Sequence, residues 1–291
     1  MQKTLERKTI LITGGAGFIG SHLIEQLILS GEYDVYSLDN YFTGKKENHI
    51  TGATYIEGHT KDIKKHISFI PDIIYHLGEY SRTGVAIEEP DVVFDFNMTG
   101  TFGVLEFARA HGSKVIYAGS STKFAEGIEG KSLSPYTWSK SANCDLLRFY
   151  HEWYGVPYVI AYFYNNYGSR ELGGKYGSVI EIFRNALAHG EPLKVNSPGT
   201  QRRNYTHVSD TARALLLIGE KGEGDGYGIG SPKSYSTLEV AQMFGGEITM
   251  MPQRRTSRAS AALDTSKTEA LGWSATHELP EYIASITSRR S

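Results

Sequence analysis

Through the first half of the chain, apolar residues fall in short runs, and each run is followed by a longer stretch with apolar positions at helical spacing. The runs are TILIT, DVYSLD, ATYIEG, DIIYHLG, KVIYAGSS and YVIAYFY. Short apolar runs separated by helix-length segments predict parallel strands joined by crossover helices, hence an α/β fold with a doubly wound sheet. After Tyr167 the alternation loosens into Gly- and Arg-rich stretches such as GSRELGGKYG and NSPGTQRRNYTHVSD. Two parts are expected: residues 1–166 as one domain and residues 167–291 as a smaller α+β lobe.

The first run opens into ILITGGAGFIGSHLIEQLILSG, a strand, a glycine loop and an amphipathic helix in direct succession. Gly14, Gly17 and Gly20 stand where a tight turn, close approach to a pyrophosphate and helix–strand packing each exclude a side chain. The helix start, at Phe18 and Ile19, offers free N–H groups and a positive dipole end to phosphate. The second run ends at Asp39, about 20 residues past the glycines, and Asn40 follows. An acid there accepts hydrogen bonds from ribose hydroxyls and repels a 2′-phosphate, which selects NAD over NADP. The first part is therefore expected to be an NAD-binding Rossmann domain, with the other part as a substrate-binding lobe.

Charge and composition narrow the partner. A formal net charge of -2 gives no general attraction to nucleic acid or an anionic membrane, so a small molecule is the expected partner. The one cysteine, Cys144, can build neither an intrachain disulfide nor a cysteine-rich metal site. No metal and a reducing compartment are expected, with Cys144 a small buried residue. The N-terminal MQKTLERKTILITGG carries too brief an apolar run for a signal peptide or a membrane span, and the chain reads as cytoplasmic.

Two stretches hold a tyrosine and a lysine four residues apart: YFTGK, Tyr41 to Lys45, and YTWSK, Tyr136 to Lys140. With 19 tyrosines in the chain, the spacing alone decides nothing. Tyr41 and Lys45 come directly after Asp39, on the adenosine side and away from a nicotinamide. Tyr136 and Lys140 follow SLSP, where Ser134 suits a helix N-cap and Pro135 the first turn. Four residues apart on a helix, both side chains share one face. Ser120 arrives at the carboxyl end of the preceding strand, where ligands of open α/β sheets bind. A phenol titrating near ~10 is a poor base at neutral pH, and each unit of lowering needs about 1.4 kcal/mol. A neighbouring ammonium and a cationic nicotinamide supply stabilisation of that order, which makes Tyr136 the expected general base.

Taken in order, TGGAGFIG, LDNYFTG, YHLG, NMTGT, YTWSK, YNNYG, RNYTHVSD and DTSKTEALGW resemble the extended short-chain dehydrogenase/reductases, the nucleotide-sugar epimerase and dehydratase family, over nearly the whole chain. The resemblance implies NAD in the first domain, a nucleoside-diphosphate sugar under the second, and transient oxidation at sugar C4. By position it implies Ser120, Tyr136 and Lys140 as the catalytic residues. Leu77 and Gly78 match the cofactor side, together with Asn97, the family asparagine that supports the active-site helix. Asn165 matches a substrate contact, Arg203 the arginine on the diphosphate, and Arg254 a second diphosphate or nucleoside contact. Relatives pair two helices into a four-helix bundle; here DVVFDFNMTGTFGVLEFARA and SANCDLLRFYHEWYG carry apolar residues on more than one face, so a homodimer is expected.

Several positions depart from the family pattern. Ser121 and Thr122 stand where the 4,6-dehydratases carry an Asp-Glu pair, so the acids for water elimination are missing and Ser121 becomes a candidate sugar contact. The Gly-Asp adenine contact reads Gly58-His59, with Asp62 as the nearby acid. The usual HLAA reads HLGE, and Glu79 is either an outward-facing loop residue, a contact to a sugar hydroxyl, or a tuner of the nicotinamide. Lys123 adds a charge beside Ser120 that faces either solvent or substrate. The loop from Ser120 to Tyr136 is short for the family, which should widen the sugar pocket. The expected function is a 4-epimerase acting on a nucleoside-diphosphate sugar. The alternatives are a 4-dehydrogenase that releases a 4-keto sugar nucleotide, such as a GDP-heptose, in surface-glycan biosynthesis, and a non-catalytic NAD-binding regulator.

Overall fold

A computed structural model of the chain describes residues 7–124, 134–253 and 262–288. All six apolar runs form strands: β1 Lys8–Thr13, β2 Tyr33–Asp39, β3 Thr54–Glu57, β4 Ile73–His76, β5 Lys114–Ser120 and β6 Tyr158–Phe163. Between them lie α1 Phe18–Ser30, the single turn α2 Ile63–His66, α3 Pro90–Val93, α4 Gly100–His111 and α5 Pro135–Tyr154. A π-helical stretch, Phe94–Thr99, joins α3 to α4. The chain then leaves the sheet for β7 Asn166–Tyr167, α6 Val179–Ala188, β8 Leu193–Asn196, β9 Arg202–Asn204 and β10 Thr206–His207. It returns with α7 Val208–Lys221 and β11 Gly224–Ile229, and closes with β12 Ser234–Ser236, α8 Thr237–Phe244, β13 Ile248–Met251, α9 Ser266–Ala270 and α10 Leu279–Thr287.

The main sheet runs β11-β6-β5-β4-β1-β2-β3 with every neighbour parallel. Its middle strands carry runs of consecutive buried apolar residues, 10–12, 73–75 and 115–118, because both faces are covered. Leu23 and Leu27 of α1 with Leu215 and Ile218 of α7 cover one face. Val104 and Phe107 of α4 with Leu147 and Tyr150 of α5 cover the other, where Cys144 is also buried. Full burial of an aliphatic or aromatic side chain of this size stabilises by about 1.5–3 kcal/mol. The chain crosses the expected division at residues 166 and 167, because α7 and β11 come back to the first domain after β10. A separate apolar core around Tyr167, Phe183, Val195, Val240 and Ile283 holds the smaller lobe.

The strand order reverses between β1 and β4. At such a switch point the crossovers leave in opposite directions and open a crevice at the carboxyl ends of the strands. Thr13, Asp39, His76 and Ser120 are the last residues of β1, β2, β4 and β5, so the topology delivers all four to that edge.

Candidate active site

A cleft of about 570 Å³ lies along this edge, between the sheet and the smaller lobe. At one end it is lined by Gly14, Gly17, Phe18, Ile19, Asp39 and Asn40. Gly14 has φ 74, and a Cβ there would come within 2.8 Å of Gly78 Cα. A Cβ on Gly20 would reach 2.2 Å from the Gly14 carbonyl oxygen, so a side chain there would push the helix off the loop. Helix α1 starts at Gly17 with no side-chain cap and no acid in its first turn, which leaves its N–H groups open toward an anion. The Asp39 carboxylate accepts from the Ala16 N–H at 2.9 Å and the Tyr41 N–H at 2.8 Å. Burial pushes its pKa above the ordinary value, and those two N–H groups oppose the rise. Tyr41 turns away to His49, 3.0 Å from its hydroxyl, and neither it nor Lys45 lines the cleft.

Midway along the cleft, Ser120, Ser121, Thr122, Tyr136 and Lys140 come together. Ser134 caps α5 through a reciprocal pair with Thr137, Pro135 occupies the first turn, and Gly155 ends the helix at φ 70. This local chemistry fixes where Tyr136 and Lys140 stand on the sheet. Ser120 Oγ accepts from the Thr122 hydroxyl at 2.9 Å and the Thr122 N–H at 3.3 Å, so its own proton is free to point elsewhere. Lys140 Nζ donates to the Ala118 carbonyl at 2.7 Å and to Glu79. The Glu79 carboxylate is 1% exposed and also accepts from Thr101 Oγ1 (2.7 Å), Asn143 Nδ2 (2.9 Å) and the Tyr117 hydroxyl (3.1 Å).

The far end is built by the smaller lobe and the loop after β4. Asn165 lines it with φ 38, its Nδ2 donating to the Asn204 carbonyl at 2.9 Å. Successive strand residues face opposite ways, so β9 presents Arg203 to the cleft while Arg202 reaches Glu239 at 2.9 Å. Burial lowers the pKa of the Arg203 guanidinium, yet an arginine stays charged. Glu171 lies here too. Burial pushes its carboxyl up to about 7, against Ser178 and Arg82, and its Oε2 has no hydrogen-bond partner among the described residues.

The model of the NAD dependent epimerase/dehydratase family matches residues 10–230. A putative UDP-glucose 4-epimerase of Methanocaldococcus jannaschii is 30% identical, over 96% of this chain and 97% of that protein. The chain belongs to this family. A UDP-N-acetyl-alpha-D-glucosaminuronate decarboxylase of Bacillus cytotoxicus is 33% identical over 81% of this chain and 79% of its own length. Among solved structures, the Thermus thermophilus UDP-glucose 4-epimerase in complex with NAD superposes with a TM-score of 0.86 at 28% identity, covering 96% of this chain and 98% of that one. NAD is thus the cofactor, and the chain is an enzyme of the nucleotide-sugar epimerase/dehydratase type.

The residues present fit NAD at the nucleotide end: the open N-terminus of α1 suits the pyrophosphate, and Asp39, an acceptor with lone pairs left over, suits a ribose diol. Leu77 and Gly78 line the cleft next to Gly14. The structure places Asp62 and Glu79 away from their expected positions, and Asn97 behind the cleft, where it supports α5. Asp62 does not line the cleft; its carboxylate turns to Lys65 at 2.7 Å because the short helical turn there presents it outward. Asn97 is fully buried behind the cleft, donating to the Tyr80 carbonyl and Ser139 Oγ and accepting from the Tyr80 N–H at 2.7 Å, so it ties the loop after β4 to α5. Glu79 exposes main chain only: its carboxylate faces neither solvent nor sugar but lies beneath Lys140, where four donors meet it. The Lys123 side chain and the whole of Arg254 lie outside the described residues.

Arg82, Glu171 and Tyr176 also line the cleft, and sequence reasoning passed over them. The available signal was two charges in the polar loops SRTG and SRELGG, a pattern that solvated loops share. Among the described residues there is no group of three His, Cys, Asp or Glu able to hold a metal, and no helix long and apolar enough to cross a membrane.

Proposed function

We propose that the chain is a 4-epimerase of a nucleoside-diphosphate sugar. Tyr136 and Lys140 carry this reading: they line the cleft beside Ser120, with hydroxyls rather than carboxylates at 121 and 122. NAD, when bound, supplies the hydride acceptor and later the donor. Tyr136 takes the proton of the C4 hydroxyl and returns it. Ser120, accepting twice from Thr122, directs its own proton to the C4 oxygen. Lys140 holds the phenolate side of that exchange, Arg203 faces the diphosphate, and Asn165 and Ser121 contact the sugar.

The working unit in this proposal is a homodimer. Phe94 of the π-helical stretch packs edge-on against Trp138 of α5, and Phe149 stacks on Trp153 further along α5, yet all four rings remain exposed. Exposed aromatic pairs of this kind along one helix fit an interaction face.

Incubation with UDP, GDP and dTDP sugars, including a uronate, followed by NMR of the products, tests the reaction. The expected product is a C4 epimer that keeps its C6 oxygen. A 4-keto sugar accumulating with NADH would instead identify a 4-dehydrogenase, and carbon dioxide from the uronate a decarboxylase. A 4-keto-6-deoxy product would sink the proposal, because Ser121 and Thr122 cannot supply the elimination acids.

A further inference from the structure

A buried carboxylate directly beneath the lysine of a tyrosine–lysine pair needs a reason, because taking charges out of water is expensive unless they are well paired. The hydrogen-bond chain around Glu79 fixes the charge state of its neighbours. The Thr101 hydroxyl proton goes to Glu79, so His76 Nε2, 2.9 Å away, must donate to Thr101. His76 Nδ1 then accepts from the Thr13 hydroxyl at 2.8 Å, which itself accepts the Gly78 N–H at 3.0 Å. His76 is thus the neutral Nε2–H tautomer, in keeping with burial, which pushes its pKa down to about 4. Tyr117 on β5 is pushed well above its ordinary value by burial, and Glu79 and the Cys144 thiol on α5 add to that rise, so it stays a phenol and donates. Asn143 is neutral. Lys140 is therefore the one cation that the described residues place against this carboxylate.

We propose that Glu79 is a positioning residue that orients the Lys140 ammonium and limits the positive charge it presents to Tyr136. Lys140 has three N–H donors; Glu79 takes one and the Ala118 carbonyl another, which leaves one for the cleft. An ammonium paired in this way stabilises a phenolate less than a lone one. That balance suits a tyrosine that must both take a proton and return it, since an over-stabilised phenolate would be too weak a base to take it. The inference rests on the reading of Tyr136 as the proton-transfer residue.

The test is an ultraviolet titration of tyrosinate in the NAD-loaded protein without any sugar, taking the difference between each chain and its Tyr136→Phe counterpart. Glu79→Gln is expected to move the Tyr136 midpoint down by about one pH unit, since a charge at close range shifts a neighbour by ~1–3 units. The acid limb of turnover should follow. Glu79→Ala must move it the same way. An unmoved midpoint in Glu79→Gln, or a shift only in Glu79→Ala, would overturn the proposal in favour of packing. Because no sugar nucleotide takes part, a protein that turns over nothing would refute the epimerase reading and leave this result intact.

If Glu79→Gln fails to fold, a second pair of variants decides. Lys140→Gln leaves the buried carboxylate alone, so its melting temperature should fall more steeply than wild type between about pH 5 and pH 8. Lys140→Gln combined with Glu79→Gln should lose that extra slope. Equal slopes in the single and double variants would refute the pairing.

Discussion

Gly14, Gly17 and Gly20 leave main chain open at the nucleotide end of the cleft, whereas Lys140 midway along it and Glu171 and Arg203 at the far end bring charge to the rest. The first end binds through groups every sequence possesses, N–H donors and a helix dipole, and needs only that side chains be absent. Asp39 is its one charge, and two backbone N–H groups hold that carboxylate in place. The rest depends on desolvated charges, of which Lys140 is paired across elements with Glu79. A main-chain site is hard to retune by substitution; a site of buried charges is retuned by almost any.

The comparison breaks most visibly at the proton-transfer residue. Tyr136→Phe is expected to lower turnover by ~10² to 10⁴ while NAD and sugar nucleotide still bind, because the ring remains and only the ionisable hydroxyl is lost. Tyr41→Phe, the other tyrosine of a four-residue pair, should change turnover by less than about threefold. Steady-state rates with binding isotherms for both variants check this. A large loss in Tyr41→Phe would mean that the adenosine side takes part in the chemistry.

A smaller effect sharpens the contrast at the nucleotide end. Asp39→Asn should erode the preference for NAD over NADP by about tenfold, some 1.4 kcal/mol, because the repelled 2′-phosphate then meets a neutral amide. Calorimetric titration with both dinucleotides measures it. NADP binding tighter than NAD in the unaltered chain would refute the role given to Asp39.

What could be read from the sequence follows the same division. The strand–glycine–helix unit, Asp39 and the Ser134-capped helix are local patterns, and a few neighbouring residues determine each. Glu79 could not be placed that way, since Thr101, Tyr117, Lys140 and Asn143 lie 22 to 64 residues along the chain. The outward, sugar-facing and nicotinamide-tuning readings all missed those donors. The return of the chain to the sheet at β11 was also hidden, because GDGYGIG reads as a loop until a neighbouring strand is known. Asp62 went astray for a different reason: the motif suggested proximity, but a single short turn decides which way a side chain points.

The smallest expected effect concerns Glu171, and its sign follows from its surroundings. Burial raises the carboxyl from 4.5 to about 7 in the folded chain, with Ser178 and Arg82 only partly opposing it. Below the unfolded value the carboxyl is protonated in both states, and the folded form carries no penalty from it. As pH rises toward 7, the unfolded chain gives up the proton while the folded one keeps it, so stability falls through that window. Glu171→Gln, which cannot ionise, should melt with the wild type near pH 4 and several degrees above it near pH 8. If the unpartnered Oε2 accepts a sugar hydroxyl, the same variant should weaken sugar-nucleotide binding several-fold and leave NAD affinity unchanged. A melting difference that stays constant with pH, or shrinks as pH rises, would show that Glu171 is not held in its protonated form and would remove it from the charged end of the comparison.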